Sequence, residues 1–192
     1  MKTINENTIK QIVRETLISL FEHNDKLNVF KNHFLKFVND IVERANKELS
    51  KYELSINIDE EYDFLGYEKW LACYERSLGY IEYGSIEIAL NIQKIFEALQ
   101  KLNASENIEE IEIQAIITIM HEVGHGLVDW LRYNFEGETT TSKLINYIVY
   151  CDDIEEEEIC EEFGESWASK YTGVYDSMLK RALYDYEKVD II

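Results

Sequence analysis

The stretch "TIMHEVGHGLVDW" (residues 118–130) sets His121 and His125 four residues apart, with Glu122 beside the first. On a helix, residues four apart lie on one face about a turn from each other, so both imidazoles can turn toward a single ion. Glu122 sits about 100° round from His121, where its carboxylate can reach a water on that ion without ligating it. This is the chemical content of an HExxH segment: two neutral nitrogen ligands and a base that takes a proton from activated water. The surrounding helix is strongly apolar, and histidines buried there are costly unless their ring nitrogens find partners, which an ion supplies. Gly124 and Gly126 flank His125. Each costs about 1 kcal/mol against alanine in a helix, which predicts that another element approaches closely there.

A catalytic zinc keeps three protein ligands and one open position. No histidine follows His125, so the third ligand must be a carboxylate, and the acidic segment "CDDIEEEEICEEFGESWASKY" (151–171) is its source. Asp153 as N-cap with Glu156 three residues later predicts a capping box, and acids in the first turn favour the helix dipole. Those two effects account for Glu155, Glu156 and Glu158 without a metal. The expected inward face carries Cys160, Gly164, Trp167, Ala168 and Tyr171, and stepping back from it by three or four residues lands on Glu157 and Glu161. Glu157 is therefore the expected ligand. Glu161, one turn later, is the expected acceptor for a histidine N–H, with the two roles open to exchange. His23 and His33 are assigned no role.

These residues must be held by packed elements, and the hydrophobic pattern predicts them. "NTIKQIVRETLISLFE" (7–22) and "VFKNHFLKFVNDIVERANKEL" (29–49) show the three-and-four spacing of two amphipathic helices. "ELSINID" (53–59) alternates as a strand, and "GYIEYGSIEIALN" (79–91) reads as a second strand region broken at Gly84. Helices are expected over 92–102, over 106–132 with Ser105 or Asn107 as N-cap, over 141–150, through the acidic segment, and over 174–188. The fold class is α+β, helix-rich, in a single domain spanning 1–192.

The chain has 192 residues, is 46% apolar and carries a formal net charge of −19, which works against binding nucleic acid. Its first residues lack the basic and apolar pattern of a secretory signal, and no apolar run approaches the roughly 18 residues that span a bilayer. No membrane association and a cytoplasmic location are expected. Cys73, Cys151 and Cys160 are odd in number and lack CxxC spacing, so they are read as reduced and buried.

"HEVGH" on a helix, followed after about thirty residues by "EEICEEFGESWA" (157–168), resembles the ImmA/IrrE group of small zincin metallopeptidases. There an HExGH helix precedes a helix reading roughly E-x-E-A-N-x-F-A. Matching Phe163 to that phenylalanine puts Glu157 on the ligand position of this gluzincin-type arrangement, Cys160 on the alanine and Glu161 on the asparagine. The family's Leu-Leu-x-Pro is replaced by "SWASKYTG". The resemblance implies a zincin-like fold with a small sheet beside the active-site helix, Zn2+ as cofactor, and cleavage of a peptide bond in a protein substrate with Glu122 as base. An edge strand of such a sheet can hold an extended peptide, and "SIEIALN" (85–91) is the candidate. Tyr171, on the expected inward face, is the candidate oxyanion donor. Two rival readings are an acidic binding or inhibitor protein that mimics nucleic acid, and a module with a structural zinc site. A di-iron site would need a second ExxH, which the chain lacks.

Overall fold

No glycine or proline interrupts residues 6–49, and the stretch winds into one helix, α1 (Glu6–Leu49), where two were expected. Residues 23–28, "HNDKLN", lack apolar periodicity but contain no breaker, so the helix continues through them. The computed structural model describes residues 6–59, 72–74, 84–101 and 108–190. The expected caps Ser105 and Asn107 lie outside them. By its contacts the chain divides into two compact units, Met1–Phe37 and Val38–Ile192. In the first, the Phe30 and Phe34 rings stack with centroids 5.3 Å apart.

The second unit holds every other element among the described residues. A 3-10 turn (Ser50–Tyr52) leads into β1 (Ser55–Asp59), followed by β2 (Ala72–Tyr74) and β3 (Ser85–Leu90). Its described helices are α2 (Ile92–Lys101), α3 (Ile108–Phe135), α4 (Lys143–Tyr150), α5 (Asp153–Trp167), the short α6 (Ser169–Thr172) and α7 (Met178–Tyr186). The expected class, α+β dominated by helix, is what the chain adopts. β2 has three residues, too few to show an alternating pattern, and sequence reading missed it.

The sheet has the order β1-β3-β2, with β1 and β3 parallel and β2 antiparallel to β3. Thus "SIEIAL" is the central strand, which corrects its expected place at an edge. Ser55–Asp59 pairs along one side and Ala72–Tyr74 along Ile88–Leu90 on the other, so the strand is flanked on both sides at Ile88 and Ala89. The outer edge of β1 is partly closed as well: Asn46 accepts from the Ile56 N–H at 2.6 Å and donates to the Ile56 carbonyl at 3.1 Å. Such blocking blunts an exposed sheet edge. Gly84, with φ +71, makes the turn before β3, and a side chain there would strike the Glu53 carbonyl.

α3 lies at the centre of this unit. Ile116, Ile119, Met120, Val123, Leu127, Val128 and Leu131 are all buried, covering about half of its circumference. The two glycines flanking His125 show what presses on it. A Cβ on Gly126 would meet Ile86 of β3, and one on Gly124 would meet Cys160 of α5 at 3.1 Å. Since the two positions are 200° apart around the helix, α3 is sandwiched between sheet and α5. Gly164 of α5 returns the contact, because a Cβ there would stand 2.5 Å from the Ile117 carbonyl oxygen and 3.2 Å from the His121 nitrogen.

Short caps fix the flanking helices. Ser142 caps α4 by accepting from the Ile145 N–H and itself donates to Asp185 of α7 at 2.7 Å. Ser177 caps α7, whose Met178 N–H is also bound by Glu162 of α5 at 2.9 Å.

Gly164→Ala tests the close crossing. Helix propensity alone favours alanine by up to about 1 kcal/mol, but the clash is with helix backbone and cannot be relieved by a rotamer change. A net loss of roughly 2 kcal/mol is expected in urea unfolding; an unchanged or higher midpoint would show that the two helices are not this close.

Candidate metal centre

His121 and His125 sit on one face of α3, and their ring planes are 81° apart with centroids 4.9 Å apart. Their Nε2 atoms are 3.2 Å from each other. From α5, Glu157 reaches both: one carboxylate oxygen is 3.3 Å from His121 Nε2 and the other 3.6 Å from His125 Nε2. Three potential ligand atoms thus lie within 4.8 Å of one another, and the expected trio of His121, His125 and Glu157 is brought together. Two ligands about 2.0–2.1 Å from a tetrahedral ion stand about 3.3 Å apart, so the observed separations fit one. Nitrogen, nitrogen and carboxylate oxygen are also donors that zinc accepts.

The start of α5 decides which glutamate does what. Asp152 has the extended N-cap backbone; it accepts from the Ile154 and Glu155 N–H groups, and Glu155 accepts in return from the Asp152 N–H. The capping box is therefore one residue earlier than expected, at Asp152 and Glu155 instead of Asp153 and Glu156. This frees Glu156, which belongs to the buried stripe Glu156, Ile159, Cys160 and Phe163, spaced as one helix face. Its side chain is only 5% exposed.

Glu156 fills the role expected of Glu161. One oxygen accepts from His125 Nδ1–H at 2.7 Å, and the other accepts from Arg132 Nη1. With the proton held on Nδ1, the lone pair of His125 is on Nε2, facing Glu157 and His121. Arg132 donates further to the Val149 carbonyl at 3.3 Å and to the Cys151 carbonyl at 3.1 Å. A cation at the end of α4 suits its dipole, so one guanidinium ties α3, α4 and α5 together around the site. Glu161 is exposed and stands outside the ligand cluster, though its charge acts on His121.

The electrostatics follow this geometry. Burial works against the charge on Glu156, but the hydrogen bonds and charges of His125 and Arg132 outweigh it and hold the carboxyl at about 2. Burial, then the neighbouring His125, lower the pKa of His121, which favours the neutral ligand form. For His125, burial is outweighed by the bond to Glu156 and the charges of Glu156, Glu157 and Glu122, so its pKa is raised. Glu122 is half-buried, one residue on from His121, and its carboxylate is near enough to act on both His125 and Cys160.

Tyr171 is not on the inward face. α5 ends at Trp167 with Ala168 as its C-cap, and the chain restarts as α6, so the helical phase that placed Tyr171 inward is broken. Its ring is exposed, with Lys170 Nζ 4.9 Å from the ring centroid. Cys151 and Cys160 are free and buried as expected; the side chain of Cys73 lies outside the described residues. No protein-family model, curated protein or solved structure matches the chain.

Glu156→Ala removes the buried carboxylate that Arg132 and His125 share, leaving Arg132 with Asp129 at 3.7 Å. A broken buried ion pair costs about 3–5 kcal/mol, and the partial exposure of Arg132 reduces this to roughly 2–3 kcal/mol at neutral pH in the metal-free protein. Because the folded carboxyl is held below its unfolded value, that stability is fully present above the usual glutamate range and fades as the pH falls toward about 2. The gap between wild type and variant in urea midpoint should narrow from pH 6 to pH 3; a constant gap would contradict the pairing.

Proposed function

We propose that the chain is a zinc-dependent metallopeptidase of the zincin type, cleaving a peptide bond in a protein substrate. The observation that carries this reading is the convergence of His121 Nε2, His125 Nε2 and the Glu157 carboxylate from two helices at separations of 3.2, 3.3 and 3.6 Å. The resemblance of "HEVGH" and "EEICEEFGESWA" to the ImmA/IrrE group supports it, as do the small sheet beside α3 and the position of Glu122.

His121, His125 and Glu157 would hold the ion, whose contribution is to polarise a carbonyl and acidify water. Glu122 takes a proton from the attacking water on its carboxylate and delivers it to the leaving nitrogen. Glu156 and Arg132 keep the His125 ring fixed and its Nε2 unprotonated toward the ligand cluster. The ring side chains of His125 and His121 are 14% and 24% exposed, whereas Glu157 is 64% exposed, so substrate enters from the Glu157 side. No helix among the described residues is long and apolar enough to cross a membrane. The free thiols of Cys151 and Cys160 support a reducing, cytoplasmic location, and the net charge of −19 disfavours nucleic acid as the substrate.

Elemental analysis of protein purified without added metal should find about one zinc per chain, lost in the His121→Ala/His125→Ala variant. Glu122→Gln should retain the zinc while peptide hydrolysis falls by about 10²–10⁴-fold. Zinc retention with no hydrolysis in wild type, and a silent Glu122→Gln, would indicate a structural site. Failure to take up zinc at all would overturn the metal centre and return weight to an acidic binding protein.

A further inference from the structure

Where α4 hands over to α5, three large apolar side chains stand in water. Tyr147 and Tyr150 lie three residues apart on the outer face of α4 and are 42% and 63% exposed, and Ile154 in the first turn of α5 is 72% exposed. Single apolar side chains scattered over a surface are ordinary, but these share one corner between two helices. Glu155, next to Ile154, acts on the Tyr147 phenol by hydrogen bonding and by charge, so the outer face of α4 and the first turn of α5 form one surface. Tyr150 is tied to the loop before α4, its hydroxyl donating to the Glu138 carbonyl at 3.2 Å. Both rings are thus anchored while much of each side chain stays exposed.

The rim of this surface is acidic. Between Lys143 and Lys170 the chain has no basic residue, whereas Asp152, Asp153, Glu157, Glu158 and Glu161 are all exposed. Ile154, Glu157, Glu158 and Glu161 share one side of α5, since the glutamates are three, four and seven residues on. An isoleucine therefore faces water among carboxylates, in a first turn where a further acid would suit the helix dipole. Tyrosine rings and carboxylates both attract ammonium and guanidinium groups, the rings by cation–π contact and the carboxylates by charge. The same rings and Ile154 gain by covering apolar side chains, and tyrosine is enriched at protein interfaces for that reason. A second copy of this chain, itself at −19, and an anionic membrane are both disfavoured by charge.

A polypeptide segment that carries apolar and basic side chains together answers both features. We propose that the corner of α4 and α5 docks such a segment of a partner protein, with Tyr147, Tyr150 and Ile154 covering its apolar side chains and Asp152, Asp153 and Glu158 facing its lysines or arginines. The proposal stands independently of the metallopeptidase reading. Under that reading, a docked segment lies one helical turn from Glu157, on the exposed side of the ligand cluster.

The test is a fluorescence-anisotropy titration of the full-length protein into a fluorescein-labelled peptide of alternating lysine and leucine, at about 0.15 M salt to screen diffuse attraction. Binding with a Kd of about 10 µM is expected. A peptide with serine in place of each leucine should bind at least tenfold more weakly. Ile154→Ser removes apolar surface without changing charge and should weaken the leucine peptide about tenfold. Tyr175→Ser is the control: that side chain is 73% exposed but follows α6, beyond the far end of α5, and its loss should leave the affinity unchanged. Both substituted side chains are exposed, so the fold is not at stake. Equal binding of the serine peptide, which would reduce the attraction to net charge, unchanged affinity in Ile154→Ser, or an equal loss in Tyr175→Ser would each overturn the proposal.

Discussion

The close crossing of α3 and α5 is the constraint on which the site depends. Helices usually pack with axes about 8–10 Å apart, the distance being set by the side chains between them. Here Gly124 faces Cys160, and Gly164 faces the backbone of Ile117 and His121, so the helices meet almost backbone to backbone. Only that proximity lets a glutamate on one helix reach two histidines on the other. The glycines cost helix propensity and return geometry: without a Cβ at position 164, Glu157 arrives within 3.6 Å of both imidazoles.

A close approach alone would leave the helices free to slide along each other. The Arg132, Glu156 and His125 chain opposes this, because it joins the same pair of helices by directional bonds a turn or two from the glycine contact. It also reaches the end of α4 through the Val149 and Cys151 carbonyls. A buried ionic network of this kind contributes less net stability than its Coulomb attraction suggests, since each group loses hydration on burial. Its larger effect is on register, as any slip between α3 and α5 would strand a charge.

How much of this was legible in the sequence depends on whether the information was local. The HExxH spacing and the glycines that announce a close neighbour are properties of one helix at a time, and each could be read, whereas Glu157 reaches the histidines with its side chain 64% exposed and not from the buried face expected for it. Glu156 was misassigned because two adjacent aspartates each have a glutamate three residues on, so either could open a capping box. Yet the stripe of residues 156, 159, 160 and 163 carried the answer, since a helix burying Ile159, Cys160 and Phe163 must bury position 156 as well. Tyr171 was misplaced by extending a helical phase past its C-cap. The central position of "SIEIAL" was not legible, because strand order depends on pairing between distant segments, and three-residue β2 leaves no periodic trace.

A cavity of about 460 Å³ lined by Lys47, Lys51, Trp167 and Lys180 shows the same division between local and assembled information. Lys47 and Lys51 come from the end of α1 and the turn after it, Trp167 from α5 and Lys180 from α7, and nothing in their separate surroundings sets them apart from other surface residues. What joins them is the course of α5. Its N-terminal turns lie against α3 and carry Glu156 and Glu157, while its last turn carries Trp167 toward α7. The glycine contacts that place the first glutamates therefore also limit where the tryptophan can stand. A shift of α5 large enough to move one end is opposed at its middle, where Gly164 packs directly on the backbone of Ile117 and His121.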